Sequence, residues 1–141
     1  MPTPFDAIVI GTGQAGPPLA RRLTEEGLKT AVVERQHFGG TCVNVGCIPT
    51  KALVASAHAA HLARRAGDFG IAIDAPVRVD MKAVIERKNS IVARSRQGVQ
   101  RSMERLALGT VYRGHARFEG PKTVRIGGDL ITAERIFINT G

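Results

Sequence analysis

Apolar residues along this chain fall into short unbroken runs that alternate with longer helical periods. Phe5-Asp6-Ala7-Ile8-Val9-Ile10 is apolar except at Asp6 and ends in glycine, which predicts a buried strand. Leu19, Ala20 and Leu23 then recur at helical spacing up to Gly27, a residue suited to a helix C-terminus. Thr30-Ala31-Val32-Val33-Glu34 is a second apolar run with an acid at its end. Strand, helix and strand make a βαβ unit of about thirty residues, in which the helix carries the chain back between parallel strands. Pro17 and Pro18 fall at the start of that helix. Proline is tolerated there because first-turn amides lack internal partners, but two in succession are expected to distort the turn or shift its start.

Residues 35 to 41 read as a glycine-containing loop. Ala and Leu dominate from Thr41 or Cys42 to about Arg65, which predicts one helix with Pro49 near its first turn, ended by Gly67 to Gly70. Residues 71 to 79 form an extended linker, and Asp80 is a good N-cap for the next helix. Met81, Val84, Ile85, Ile91, Val92, Val99, Met103 and Leu106 recur with roughly helical period, with Gly98 inside. Three β runs follow, at 111 to 118, 123 to 126 and 130 to 139, with Gly127-Gly128-Asp129 as a tight turn between the last two. The prediction is a single α/β domain over residues 1–141, with a Rossmann-like parallel sheet, helices and a small β-meander.

Composition narrows the function classes. Hydrophobic residues make up 43% of 141, so the chain is globular rather than disordered. No apolar run approaches membrane-spanning length, and no basic leader precedes the first apolar stretch, so a cytoplasmic location without membrane contact is expected. The net charge of +8 raises the possibility of nucleic acid. Aromatics are only 4% and tryptophan is absent, which removes a base-stacking platform. Much of the excess charge lies between Lys82 and Arg105, interleaved with apolar residues, as on a solvated or interdomain helix face.

Gly11-Thr12-Gly13-Gln14-Ala15-Gly16 stands between the first strand and the first helix, the context a dinucleotide turn requires. Gly11 allows the tight turn, Gly13 lets a pyrophosphate approach the backbone, and Gly16 lets helix and strand pack closely. Free amides at the helix start then meet the phosphate charge. Glu34 lies 21 residues after Gly13, where an acid accepts hydrogen bonds from a ribose diol and disfavours a 2′-phosphate. The motif does not separate FAD from NAD, and a structural glycine turn in another α/β fold is the alternative.

Cys42 and Cys47, with four residues between them, are the only cysteines. On a distorted first turn, which Gly46 and Pro49 both permit, their sulfurs can approach. A helix N-terminus stabilises a thiolate, and a thiol of low pKa is a better leaving group in exchange. Inert structural cysteines and a metal site are the competing readings. His37, His58, His61 and His115 give no standard zinc spacing with the cysteines, so no metal site is expected.

Residues 39 to 51, GGTCVNVGCIPTK, resemble the active-site segment of the class I pyridine nucleotide–disulfide oxidoreductases, which include lipoamide dehydrogenase, glutathione reductase and mercuric reductase. The GTGQAG turn, Glu34, Gly114-His115-Ala116 and the closing Thr140-Gly141 agree in order. The resemblance implies FAD bound in an extended form. Gly11, Gly13 and Gly16 would contact its pyrophosphate, Glu34 the adenosine ribose, and the backbone at His115 and Ala116 the adenine. Gly40, Thr41, Cys47, Thr140 and Gly141 would lie toward the flavin end. Cys42 and Cys47 would form a redox-active disulfide, with Cys47 next to the flavin, Cys42 as the thiol that meets the acceptor, and Lys51 near the flavin N5.

Electrons would come from NAD(P)H and leave to a small-molecule or metal-ion acceptor in a homodimer. The family's nicotinamide and dimerisation domains lie beyond residue 141, so the chain is expected to be an N-terminal segment, inactive alone. GTGQAGPPLA and TCVNVGC lean toward mercuric reductase and Hg(II), with lipoamide dehydrogenase and glutathione-type reductases as alternatives. From other classes, a non-catalytic nucleotide- or metal-binding module or a basic nucleic-acid-binding domain would fit less of the pattern.

Overall fold

A computed structural model describes every residue from Met1 to Gly141. The parallel part of the sheet comprises β1 (Thr3–Ile10), β2 (Thr30–Glu34), β3 (Gly109–Arg113) and β6 (Asp129–Ile138). The strands β4 (Ala116–Gly120) and β5 (Thr123–Ile126) continue it as an antiparallel meander, giving the order β3-β2-β1-β6-β5-β4. Ten-residue β6 belongs to both parts, pairing with β5 at Asp129–Thr132 and with β1 from Ile131 to Ile138. Gly127-Gly128 closes the β5–β6 hairpin, and Gly127 takes the positive φ (+57°) that a two-residue turn needs.

Strand alternation divides the core in two. Ile8, Ile10, Ala31 and Val33 pack with Val124 and Ile126 of β5 and Ile131 and Ala133 of β6. Val9 and Val32 pack with Ala20 of α1 (Gly16–Glu25), Phe38, and Met103 of α4 (Met81–Glu104). Both faces of the central strands are therefore covered, which is why β1 and β2 read as continuous apolar runs rather than as alternations. Burying Phe38 also anchors the loop that leads out of β2.

Three local outcomes differ from the sequence reading. The helix expected from residue 41 to 65 is two helices, α2 (Gly40–Asn44) and α3 (Cys47–Arg64). Gly46 breaks them apart with φ −112° and ψ −111°, and an added Cβ there would lie 3.1 Å from the Thr41 carbonyl oxygen. The run at 111 to 118 is likewise two strands, because the chain turns at Gly114-His115 from parallel β3 into antiparallel β4. Pro17 and Pro18 do not displace α1, which starts at Gly16 and takes both into its first turn. In α4, Asp80 accepts from the Lys82 and Ala83 N–H groups as an N-cap. Only Val92 and Met103 of its apolar set are buried, while Met81 and Ile85 are exposed. No helix is long and apolar enough to cross a membrane.

Two glycines at α1 separate close packing from turn geometry. A Cβ on Gly16 would stand 2.1 Å from the Gly11 carbonyl oxygen, whereas one on Gly27 (φ +81°) would meet nothing within 4 Å. Gly16→Ala is expected to lose at least about 3 kcal/mol because backbone must move, and Gly27→Ala about 1 kcal/mol from its left-handed φ alone. Urea unfolding of both variants checks the ranking.

Candidate cofactor and disulfide site

The C-terminal ends of the parallel strands carry the sequence-predicted residues, the edge where open α/β sheets bind ligands. The Gly11 N–H donates to the Val33 carbonyl and the Asn139 N–H to that of Ile10, so β1, β2 and β6 finish together. A Cβ on Gly11 would lie 2.1 Å from the Asn139 carbonyl oxygen. Gly11 and Gly16 therefore serve the packing of the turn itself. Gly13 differs, since its added Cβ would meet only the Asn139 side-chain nitrogen, at 3.8 Å. The backbone of Gly13 is open on that side.

The N–H groups of Gly13, Gln14, Ala15 and Gly16 donate to no group in the chain, and Pro17 and Pro18 have none to offer. Four unpaired donors at the positive end of a ten-residue helix form an anion site. This fits a pyrophosphate.

Glu34 ends β2 half-buried. One carboxylate oxygen accepts from both the Thr12 N–H (3.0 Å) and the Thr12 hydroxyl (2.5 Å), and the other from the Gln36 N–H (2.8 Å). Burial pushes its pKa up, but these donors, Gln36 first and then Thr12, outweigh it and hold the carboxyl below its ordinary value. A carboxylate accepts about four hydrogen bonds, so one place remains for a ribose hydroxyl. Thr12 is fully buried, and it also takes the Gly39 N–H, at 3.0 Å on its carbonyl and 3.3 Å on its hydroxyl. Gly40 follows with φ +60°, and a Cβ on it would stand 2.7 Å from the Gly13 Cα. The start of α2 is thus seated directly on the glycine turn.

Cys42 on α2 and Cys47 at the first residue of α3 form a disulfide, with Cα atoms 4.7 Å apart. Cys42 is half-buried and Cys47 exposed. The intervening Asn44 side chain donates to the carbonyls of Phe38 (3.0 Å) and Gly40 (2.8 Å). Its oxygen accepts from the Arg96 Nε of α4 at 2.6 Å. Arg87 of the same helix donates to the Ala52 carbonyl of α3. Of the basic face noted in the sequence, Arg96 therefore braces the disulfide loop and Arg87 the helix that follows it. Cys47 opens an 18-residue helix, whose dipole favours a thiolate at that sulfur once the disulfide is reduced.

Thr41 is exposed one residue before Cys42, and Lys51 is exposed one turn after Cys47. His115 is exposed and Ala116 half-buried at the start of β4, and the Gly114 N–H bonds the Glu34 carbonyl (2.9 Å), which brings this segment to the end of β2. Thr140 and Gly141 follow β6, both exposed. The sequence reading missed Thr12, Asn44, Arg96 and Asn139. Asn139 carried a signal, being a polar amide that ends the apolar run Ile136-Phe137-Ile138.

Residues 5–141 match the family model described as pyridine nucleotide-disulphide oxidoreductase. The chain belongs to that family. It is similar to a dihydrolipoyl dehydrogenase of Rhizobium etli, with 41% identity over 87% of this chain and 25% of that protein. A dihydrolipoyl dehydrogenase of Mycoplasma pneumoniae is 38% identical over 97% of this chain and 30% of its own length. Among solved structures, the Cu(II) complex of the HOCl-induced flavoprotein disulfide reductase RclA from Escherichia coli superposes with a TM-score of 0.82 at 33% identity, covering 100% of this chain and 29% of that one. The chain thus spans a quarter to three tenths of the length of these relatives. The family uses FAD and NAD(P)H. The names of these relatives do not carry the mercuric lean of the sequence reading.

The Thr12–Glu34 contact has a pH signature. Because the folded-state pKa of Glu34 is depressed, its ionised form contributes stability above the unfolded carboxyl range, and that contribution is lost as pH falls through the folded value. Thr12→Val, which removes one donor to that charge, is expected to cost about 1 to 2 kcal/mol near pH 7, with the gap from the parent narrowing as pH falls below the ordinary carboxyl range. Thr12→Ser restores most of it. Urea unfolding across that range is the check.

Proposed function

We propose that this chain is the FAD-binding, disulfide-bearing part of an NAD(P)H-dependent flavoprotein disulfide oxidoreductase. The observation that carries the reading is the seating of the disulfide helix on the dinucleotide turn, through the Gly40–Gly13 approach and the Gly39–Thr12 hydrogen bonds. A nucleotide held at Gly13 and a disulfide starting three residues after Gly39 are thereby parts of one site.

FAD, when bound, supplies the two-electron carrier between a nicotinamide and the disulfide. The unpaired amides of Gly13 to Gly16 hold its pyrophosphate, while Gly11 and Gly16 keep the turn closed. Glu34 takes one ribose hydroxyl, and the backbone at His115 and Ala116 faces the adenine. Gly40, Thr41, Thr140 and Gly141 line the path toward the flavin, with Lys51 as a positive charge near it. Cys47, exposed and at a helix N-terminus, is suited to lie against the ring as a stabilised thiolate. Two electrons and one proton convert the disulfide to that thiolate and a Cys42 thiol, and Cys42 then exchanges with the acceptor.

The relatives' names favour a disulfide acceptor of the lipoamide kind over Hg(II). The whole protein is proposed to be a cytoplasmic homodimer, as members of the family typically are dimeric.

The expected result is that the purified chain binds one FAD per molecule and stays yellow through gel filtration. Gly13→Ala, whose Cβ fills the free space without a clash in the chain, keeps the fold and weakens FAD at least about 100-fold by blocking close phosphate approach. With NAD(P)H, the full-length protein reduces lipoamide faster than Hg(II). A protein that retains no FAD would overturn the reading. Faster turnover with Hg(II) would overturn the acceptor assignment alone.

A further inference from the structure

Asn139 ends β6 where that strand meets the glycine turn. Its backbone is fixed, with the N–H on the Ile10 carbonyl at 2.8 Å and the carbonyl oxygen against Gly11. Its side-chain Nδ2 lies 3.1 Å from where a Cβ on Gly16 would stand and 3.8 Å from one on Gly13, so it sits between the two glycines of the turn. That nitrogen is buried and is the one buried side-chain nitrogen or oxygen in the molecule without a hydrogen-bond partner. An unpaired buried donor is costly, and native proteins keep few of them without a reason.

The surroundings supply the reason. The neighbouring N–H groups of Gly13 to Gly16 are also unpaired, so Asn139 adds a donor to donors. Such a cluster of one sign is satisfied only by a group rich in acceptors. With the amide turned over, an oxygen would face the turn and repel an anion seated there, so the two orientations predict opposite effects on anion binding. We propose that Asn139 is a pyrophosphate-positioning residue. Its Nδ2 donates to a phosphate oxygen of a nucleoside diphosphate seated on Gly13, directly or through one enclosed water. This rests on the dinucleotide reading of the turn, and it adds to it a side chain that discriminates for the doubly charged pyrophosphate.

The test uses calorimetry with ADP, FAD and adenosine on the parent chain, Asn139→Ala and Asn139→Asp, together with the thermal midpoint of each ligand-free protein. Asn139→Ala is expected to weaken ADP and FAD about tenfold, the loss of one hydrogen bond to a charged acceptor, and to leave adenosine unchanged. Its ligand-free midpoint does not fall, because an unpaired donor has been removed. Asn139→Asp places a carboxylate among the free amides, which raises the ligand-free midpoint and weakens ADP by more than about 100-fold through like-charge repulsion. A merely structural role gives the opposite pattern in Asn139→Ala, with a lowered midpoint and equal losses for ADP and adenosine, and would overturn the proposal. So would a parent that binds ADP and FAD beside an Asn139→Ala chain that binds them equally well, leaving the dinucleotide reading intact. A parent that binds neither overturns both.

Discussion

Thr12, a fully buried residue inside the glycine turn, ties three parts of the molecule together. Its N–H and hydroxyl hold the Glu34 carboxylate at the end of β2, and its carbonyl and hydroxyl receive the Gly39 N–H at the start of the redox loop. Each bond is short-range, yet the residues joined are 22 and 27 positions apart. The nucleotide turn, the acid expected at the ribose, and the helix bearing Cys42 consequently cannot move independently. A cofactor that spans from ribose to disulfide meets an edge whose spacing is already set, which lowers the ordering cost of binding.

The disulfide depends on a second constraint, the break at Gly46. Without it the helix would run straight through, and residues five apart would point to different sides of the cylinder. With it, Cys42 folds back over the start of α3, and Cys47 takes the position where the helix dipole is most positive. Arg96 reaches the same loop from α4 through Asn44, adding a permanent positive charge nearby. The basic excess of the chain therefore has a local use. Cation and dipole both favour a thiolate, and both act on the loop that carries the disulfide.

Much of this was legible in the sequence, for physical reasons that can be named. Strands buried on both faces make continuous apolar runs, so β1, β2 and β6 stand out, and the glycines fall where strand ends approach too closely for a Cβ. Gly46 and Pro49 announced a distorted turn but not a full break between α2 and α3, which depends on the close backbone approach of Gly46 to Thr41 and Cys42. Thr12 and Arg96 were not legible either, because their partners are 22 to 52 positions away in sequence. The lean toward mercury rested on GTGQAGPPLA and TCVNVGC. Of those residues only Cys42 is proposed to meet the acceptor, and a thiol alone does not distinguish a disulfide from a metal ion.

The most direct measurement is the visible spectrum of the FAD-loaded protein with one cysteine removed at a time. Cys42→Ser leaves Cys47 unpaired at the α3 N-terminus beside the flavin, and a long-wavelength absorbance band is expected without any reductant. The band should fade as pH is lowered and the thiolate is protonated. Cys47→Ser is expected to bind FAD equally well and to show no band. A band in Cys47→Ser and none in Cys42→Ser would place the other sulfur at the flavin and contradict the assignment of the two cysteines.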